Sequence, residues 1–287
     1  MIKILSPAKI NLFLEIGGLG KKLHNLMSLV DIVSLYDEIR IEESVTTEVL
    51  FHSEWTIPAE NTVTRTISLL RRIFNVNKGV RIEILKKIPP GSGLGGGSSN
   101  AAAVLRALLK IWKIDLGEKR LTRIASLVGS DVPLFIQGGR CIVEGTGNKI
   151  EKKGVSGMTL AYYLSIPPFS VSTREVYSRL DSLKIKGNLT EAREKIKLLN
   201  EEIELKHMEN IEKIMQNRLE EPYFDLYNQA KGVKRQLERH TGKKFFVSGS
   251  GGTLFSVFPD RRDAETRTSL FNAKGWKSCI VESIKTS

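Results

Sequence analysis

The chain has 287 residues, 41% of them hydrophobic, and 44 Lys and Arg against 32 Asp and Glu give a net charge of +12. That length supports two domains, and no apolar run reaches the roughly 18 residues a membrane-spanning helix needs. Cys141 and Cys279 stand alone without a CxxC and the four histidines are scattered, which argues against a disulfide framework or a structural zinc site. The first residues lack a signal-peptide pattern, so a cytoplasmic protein with no membrane partner is expected. The positive charge occurs in pairs such as Lys21-Lys22 and Lys86-Lys87 rather than in a block, and aromatic residues do not gather around it. A solvated surface is the expectation, with no nucleic-acid partner.

In chain order, IKIL (2–5) and NLFLEI (11–16) read as strands, and LVDIVSLYDEIRIEE (29–43) as a strand pair. NTVTRTISLLRRIF (61–74) spaces Val63, Ile67, Leu70 and Phe74 as a helix does, and GVRIEILKKI (79–88) alternates as a strand does. Residues 98–113 form the clearest helix, with Ala101, Val104, Leu105, Leu108 and Trp112 on one face. EKRLTRIASLV (118–128) is a second, stopped by Gly129 as its C-cap. The pattern then restarts: a strand TLAYYLSI (159–166), two or more helices over 173–240, strands KFFV (244–247) and TLFSVF (253–258), a helix at 262–273 and a strand at 276–283. This order is that of a ferredoxin-like split βαβ unit carrying extra helices. The expected class is α+β with two domains, 1–155 and 156–287.

From the strand at 79–88 the chain runs through Pro89, Pro90, Gly91, Ser92, Gly93, Leu94, Gly95, Gly96 and Gly97 into the helix at 98–113, which opens with Ser98, Ser99 and Asn100. Glycines let backbone approach an anion closely, and a helix start offers unpaired N–H groups and partial positive charge, so strand, glycine loop and helix make a phosphate cradle. It is not the usual P-loop, because no lysine separates Gly97 from Ser98, and its glycines are too dense for the dinucleotide fingerprint. A second small-residue loop, Gly249, Ser250 and Gly251 within VSGSGGTLF (247–255), reads either as a hairpin turn or as a second backbone surface facing the same ligand.

Four segments, SPAKINLFL (6–14), PPGSGLGGGSSNAAAVL (89–105), GSDVPLFIQGG (129–139) and SGSGGTLF (248–255), resemble, in order and over essentially the whole chain, the motifs of the GHMP kinases. AKINL, with Lys9 and Asn11, is similar to the branch acting on a cytidine diphosphate sugar alcohol. The resemblance implies an N-terminal domain like ribosomal protein S5 domain 2 and a ferredoxin-like C-terminal domain. It also implies transfer of phosphoryl from ATP, with Mg²⁺, to the 2-hydroxyl of 4-(cytidine 5'-diphospho)-2-C-methyl-D-erythritol, in isoprenoid precursor synthesis. The glycine loop would hold the ATP phosphates, and no acidic cluster announces a dedicated metal site.

Asp131 matches the catalytic aspartate, as proton acceptor or as orienter of the hydroxyl, although a turn or cap explains an aspartate there equally well. Lys9 would favour developing alkoxide charge; a lysine in a strand is more often exposed. Asn11 shares a strand side with Lys9 and is an expected substrate contact. His24 matches the histidine reading the cytosine edge, and Tyr177 an aromatic beside the base, against the plainer readings of a loop histidine and a core-facing tyrosine. The family's usual tyrosine before that histidine is Leu23 here. Asn61 matches a position near the adenine, and Lys87 lies close enough to the loop to reach nucleotide. Two alternatives stay open: a GHMP kinase for a different small alcohol, and a non-catalytic basic nucleic-acid-binding protein. A monomer or weak dimer is expected.

Overall fold

The structure is a computed structural model and describes residues 1–20, 23–152, 159–269 and 271–284. The pair Lys21-Lys22 and the expected domain boundary at 155–156 lie outside the described residues. In chain order the elements are β1 (Ile2–Leu19), β2 (His24–Ser44), β3 (Glu48–His52), α1 (Thr62–Phe74), β4 (Gly79–Leu85), α2 (Gly96–Ile111), α3 (Glu118–Val128), α4 (Val132–Gln137), β5 (Cys141–Gly145), β6 (Lys149–Lys152) and β7 (Ala161–Ile166). They continue with α5 (Thr173–Ser182), α6 (Leu189–Glu204), α7 (Met208–Ile214), β8 (Gln216–Asn217), α8 (Glu220–Leu226), α9 (Asn228–Thr241), β9 (Phe246–Val247), β10 (Leu254–Phe258), α10 (Arg261–Thr268) and β11 (Lys277–Glu282).

The chain divides into two compact units, one of residues 1–8, 35–90 and 95–138, the other of residues 9–34, 91–94 and 139–287. This division does not run along a single sequence boundary, because β1, β2 and the glycine loop each pass from one unit to the other.

In the first unit β4 lies between antiparallel β2 and parallel β3. Ile39, Ile41, Val80, Ile82 and Ile84 from these strands meet the apolar faces of α1, α2 and α3. The predicted face of α2, Ala101 to Trp112, is buried, which fixes the rotation of the helix whose N-terminus follows the glycine loop. Helix α3 ends at Gly129 as expected, but Gly129 is extended (φ −178°), so it stops the helix without a left-handed turn.

In the second unit the start of β2 pairs with β5, β5 with β6, and β1 runs parallel to the short β8. A separate four-stranded antiparallel sheet has the order β11-β7-β10-β9. Numbered by appearance in the chain its strands run 4-1-3-2, the ferredoxin-like arrangement expected from the sequence. Its helix-covered face buries Tyr163, Phe245, Val247, Leu254, Phe258 and Ile280.

Two expectations are corrected. The predicted strand pair at 29–43 is one continuous strand, β2. No glycine or proline interrupts LVDIVSLYDEIRIEE, so nothing there favours a turn, and different stretches of β2 find different partners, β5 at Leu26–Val30 and β4 at Glu38–Ser44. The helix predicted over 262–273 ends at Thr268, where Ser269 adopts a left-handed conformation (φ 42°).

Candidate active site

β1 carries Lys9 and Asn11 on one side of the strand, as the alternation requires. Lys9 is 5% exposed and Asn11 8%, so neither is a surface side chain. The Lys9 ammonium donates to Asn11 Oδ1, while Asn11 Nδ2 donates to Ser28 Oγ at 2.9 Å and Ser28 donates to the Phe13 carbonyl at 2.6 Å. This relay orients the amide so that its oxygen faces the lysine.

The front of the glycine loop, Gly91–Leu94, belongs to the same unit, and all four of its carbonyls accept hydrogen bonds there. Val171 N donates to Gly91 O (3.1 Å), Thr253 N to Ser92 O (3.1 Å), Ser248 Oγ to Gly93 O (3.1 Å) and Lys9 N to Leu94 O (3.0 Å). With the carbonyls engaged, what the loop can offer a ligand is amide hydrogen rather than carbonyl oxygen. The loop reaches this shape with positive φ at every second residue, Gly91, Gly93 and Gly95.

The second glycine loop supplies two of those donors and also faces Lys9. A Cβ placed on Gly249 would lie 3.0 Å from Lys9 Nζ and 3.1 Å from Asn11 Oδ1. Asn217, at the end of β8, donates through Nδ2 to the carbonyls of Val247 and Gly249, each at 2.7 Å. Ser250 Oγ lies 2.8 Å from Thr173 Oγ1. The loop is therefore more than a hairpin turn: it is pinned, and it closes on the lysine and on the first loop.

In the first unit, α2 begins at Gly96 with Gly95 as N-cap and no side-chain cap, so its first-turn amides are available to an anion. Gly96 packs tightly, since a Cβ there would stand 2.8 Å from Ile88 Cγ2 and 3.1 Å from Lys86 Nζ. Gly97 is exposed with space for a side chain, since the nearest atom a Cβ there would meet is Thr62 Oγ1 at 3.4 Å. Ser99 and Asn100 are buried toward Ser6, whose hydroxyl lies 2.7 Å from Ser99 Oγ and 2.8 Å from Asn100 Oδ1. Those two side chains anchor the helix start to β1, which leaves Ser98 and the glycine amides as the outward groups.

Of the two lysines before the loop, Lys87 is exposed and paired with Glu38 at 2.6 Å. Lys86 is buried, paired with Asp37, and is the one beside the helix start. Asp37 also accepts from the amides of Lys87 (2.7 Å) and Ile88 (2.9 Å). Burial lowers the Lys86 pKa, against the opposing pull of Asp37. The inward alternation Val80, Ile82, Ile84 continues through Lys86 to Ile88, and that signal in the sequence favours Lys86 over Lys87.

Asp131 stands half-buried at the N-cap position of α4, yet its side chain makes no capping hydrogen bond, so the cap reading does not account for it. Asn61 does cap: its oxygen accepts from Val63 and Thr64 N, and its nitrogen donates to the carbonyls of Pro58 and Ala59. The amide is engaged locally, while the adjacent Thr62 Oγ1 donates to Gly97 O at 2.7 Å and so places this corner beside α2.

His24, at the start of β2, meets Tyr177 of α5 with ring centroids 5.3 Å apart, and its Nε2 lies 2.7 Å from Asp181 Oδ1. Tyr177 also packs partly against the core of its unit. Leu23 beside them is 57% exposed. Among the described residues there is no group of three His, Cys, Asp or Glu side chains placed to hold a metal ion, and no helix is long and apolar enough to cross a membrane.

The chain is similar to known proteins over most of its length. The GHMP kinases N terminal domain matches residues 61–139 and the GHMP kinases C terminal domain residues 199–269. A Clostridium tetani protein named 4-diphosphocytidyl-2-C-methyl-D-erythritol kinase is 35% identical over 268 residues, covering 92% of this chain and 93% of that protein. One of the same name from Persephonella marina is 35% identical over 280 residues, covering 95% and 96%. A crystal structure of 4-(cytidine 5'-diphospho)-2C-methyl-D-erythritol kinase superposes with a TM-score of 0.76 at 28% identity, covering 98% of this chain and 99% of that one. A homoserine kinase from Cytophaga hutchinsonii shares the fold at 19% identity, with a TM-score of 0.73 over 99% of this chain and 94% of its own.

Proposed function

This chain belongs to the GHMP kinases and is an ATP-dependent kinase; from that premise we propose that it phosphorylates the 2-hydroxyl of 4-(cytidine 5'-diphospho)-2-C-methyl-D-erythritol. The observation that carries the reading is the engagement of all four carbonyls of Gly91–Leu94, which commits the loop to binding through amides. The names of the relatives supply the acceptor.

Phosphoryl transfer asks a protein for positioning and for stabilisation of charge on the moving group. In this reading the loop amides and the first turn of α2 bind the ATP phosphates, and Lys86, brought to the helix start by Asp37, adds a cation beside them. Ser98 offers a hydroxyl at the same turn, and Asn61 and Lys87 flank the nucleotide. Asp131 orients the acceptor hydroxyl or takes its proton as the oxygen attacks the γ-phosphorus and the bond to ADP breaks. Lys9, oriented by Asn11, stabilises the developing negative charge on that oxygen. Gly249, Ser250 and Gly251 place backbone against the erythritol phosphates, while His24 and Tyr177 face the cytosine. Mg²⁺, carried by the nucleotide, would neutralise charge on the transferring phosphates, with the Ser98 hydroxyl as an oxygen available to it at the start of α2. The reading carries with it a cytoplasmic protein, monomer or weak dimer, without a nucleic-acid partner.

The test is ADP release from ATP and Mg²⁺ with the cytidyl compound, with mevalonate and homoserine beside it, in the wild type and in Asp131→Asn and Lys9→Met. Turnover with the cytidyl compound alone, lost in both variants, supports substrate and site together. Turnover with another alcohol keeps the kinase and discards this acceptor. No turnover with any alcohol, together with salt-dependent binding of nucleic acid, would favour the binding-protein reading.

A further inference from the structure

His24 and Asp181 are 157 residues apart in sequence, and their side chains meet at 2.7 Å through His24 Nε2 and Asp181 Oδ1. An ionised carboxylate only accepts hydrogen bonds, so the proton in this contact sits on Nε2. In a neutral imidazole the remaining nitrogen, Nδ1, then carries no proton and can only accept. Tyr177 lies against the ring at 5.3 Å and 38°, which restricts its swing. The ring is thus held in one orientation and one tautomer by two residues of α5.

We propose that Asp181 is a positioning residue that sets base specificity: by keeping the His24 proton on Nε2 it makes Nδ1 an acceptor, which selects a 4-aminopyrimidine over a 4-oxopyrimidine. The inference rests on the reading above that His24 faces the base. Cytosine presents an amine donor at C4, whereas uracil, like thymine, presents a carbonyl acceptor there. An acceptor nitrogen pairs with the first and opposes the second. Without Asp181 the tautomer bearing its proton on Nδ1 becomes accessible, and that form donates to a C4 carbonyl. Removing the carboxylate therefore changes the ratio between the two bases more than it changes the chemistry on the distant hydroxyl. The role is sharpened by Leu23, which brings no aromatic face that would grip either base.

Asp181 has a side chain 54% exposed on a helix surface, so Asp181→Leu and Asp181→Glu are expected to fold. Two measurements test the proposal. The first is kcat/KM for the cytidyl substrate against its uridyl counterpart. The second is nitrogen-15 NMR of histidine-labelled protein, with the His24 signal identified by its loss in His24→Gln. Expected are an Nε2-protonated His24 in the wild type, and in Asp181→Leu a shift toward the other tautomer with an about tenfold fall in the cytidyl-to-uridyl ratio. The change should appear in KM, with kcat on saturating cytidyl substrate nearly unchanged, and Asp181→Glu should restore most of the ratio. A wild-type His24 protonated on Nδ1, or a ratio unaltered in Asp181→Leu, overturns the proposal while leaving the kinase assignment intact. Failure of the wild type to use the cytidyl compound at all overturns the substrate reading, and this inference with it.

Discussion

Gly249 and Lys9 are so close that a single methyl group on the glycine would stand 3.0 Å from the lysine ammonium. Gly249 also has φ +59°, a conformation that costs an L side chain about 1–2 kcal/mol. Gly249→Ala should therefore lower the melting temperature by several degrees and cut kcat more than tenfold by displacing Lys9 and Asn11. Asn217→Ala removes the two hydrogen bonds that hold this loop from behind and should cost about 2 kcal/mol. Thermal melts with steady-state kinetics on both variants check this; full activity in Gly249→Ala would show that the loop does not set the position of the lysine.

The glycines of the first loop are not equivalent. Gly93 has φ +79°, and a Cβ there would overlap the carbonyl oxygens of Ser248 and Gly251, so Gly93→Ala should disrupt the loop and abolish activity. Gly97 is helical, exposed and has room, so Gly97→Ala should fold at least as well as the wild type, gaining up to roughly 1 kcal/mol of helix propensity. If the open face at Gly97 exists for close approach of a phosphate, that variant should nonetheless raise KM for ATP by about tenfold. An unchanged KM would mean that the phosphates do not lie against Gly97.

Lys86 and Asp37 form a buried pair of unequal members. Asp37 keeps two amide donors when the lysine is lost, whereas Lys86 loses its carboxylate when Asp37 is removed. Asp37→Ala should therefore destabilise by about 3–5 kcal/mol, because an uncompensated buried ammonium remains. Lys86→Met should cost less and show its main effect in KM for ATP. Urea titration of both variants, followed by kinetics on Lys86→Met, separates the two roles. Equal destabilisation would indicate that the amide bonds to Asp37 contribute little.

Burial pushes the thiols of Cys141 up to about 12 and Cys279 up to about 11. At pH 8 both folded thiols then stay protonated, so both should react with a thiol reagent far more slowly than in the unfolded chain, buried Cys141 most of all. The sign for stability follows. Above about pH 9 the unfolded thiols ionise while the folded ones keep their protons, so the folded state binds more protons and stability falls as pH rises toward 11 to 12. Labelling rates at pH 8 with and without denaturant, and melts from pH 8 to 11, test both statements; rapid labelling of the native protein at pH 8 contradicts them.

Where local chemistry decides, the sequence was enough. Alternation put Lys9 and Asn11 on one side of a strand, and the dense glycines before an apolar helix marked the loop. The order of elements after residue 156 foretold the 4-1-3-2 sheet. What escaped depends on partners remote in the chain. Asp37 lies 49 residues from Lys86, Asp181 lies 157 from His24, and Asn217 acts from a strand of two residues that no periodicity reveals. Asn61 shows the converse, since its cap is local and the capping box was present in the sequence as Asn61 with Thr64.

The engaged carbonyls of Gly91–Leu94 have a consequence for synthesis. All residues of the first unit have been made by residue 138, so that unit can close while translation continues. The partners of the loop do not arrive together: Lys9 precedes it, Val171 comes 80 residues after Gly91, Ser248 comes 155 after Gly93 and Thr253 comes 161 after Ser92. The glycine loop is thus translated well before the residues that complete its hydrogen bonds. A nascent chain can therefore carry an intact glycine motif before the partners that hold the carbonyls of its loop exist.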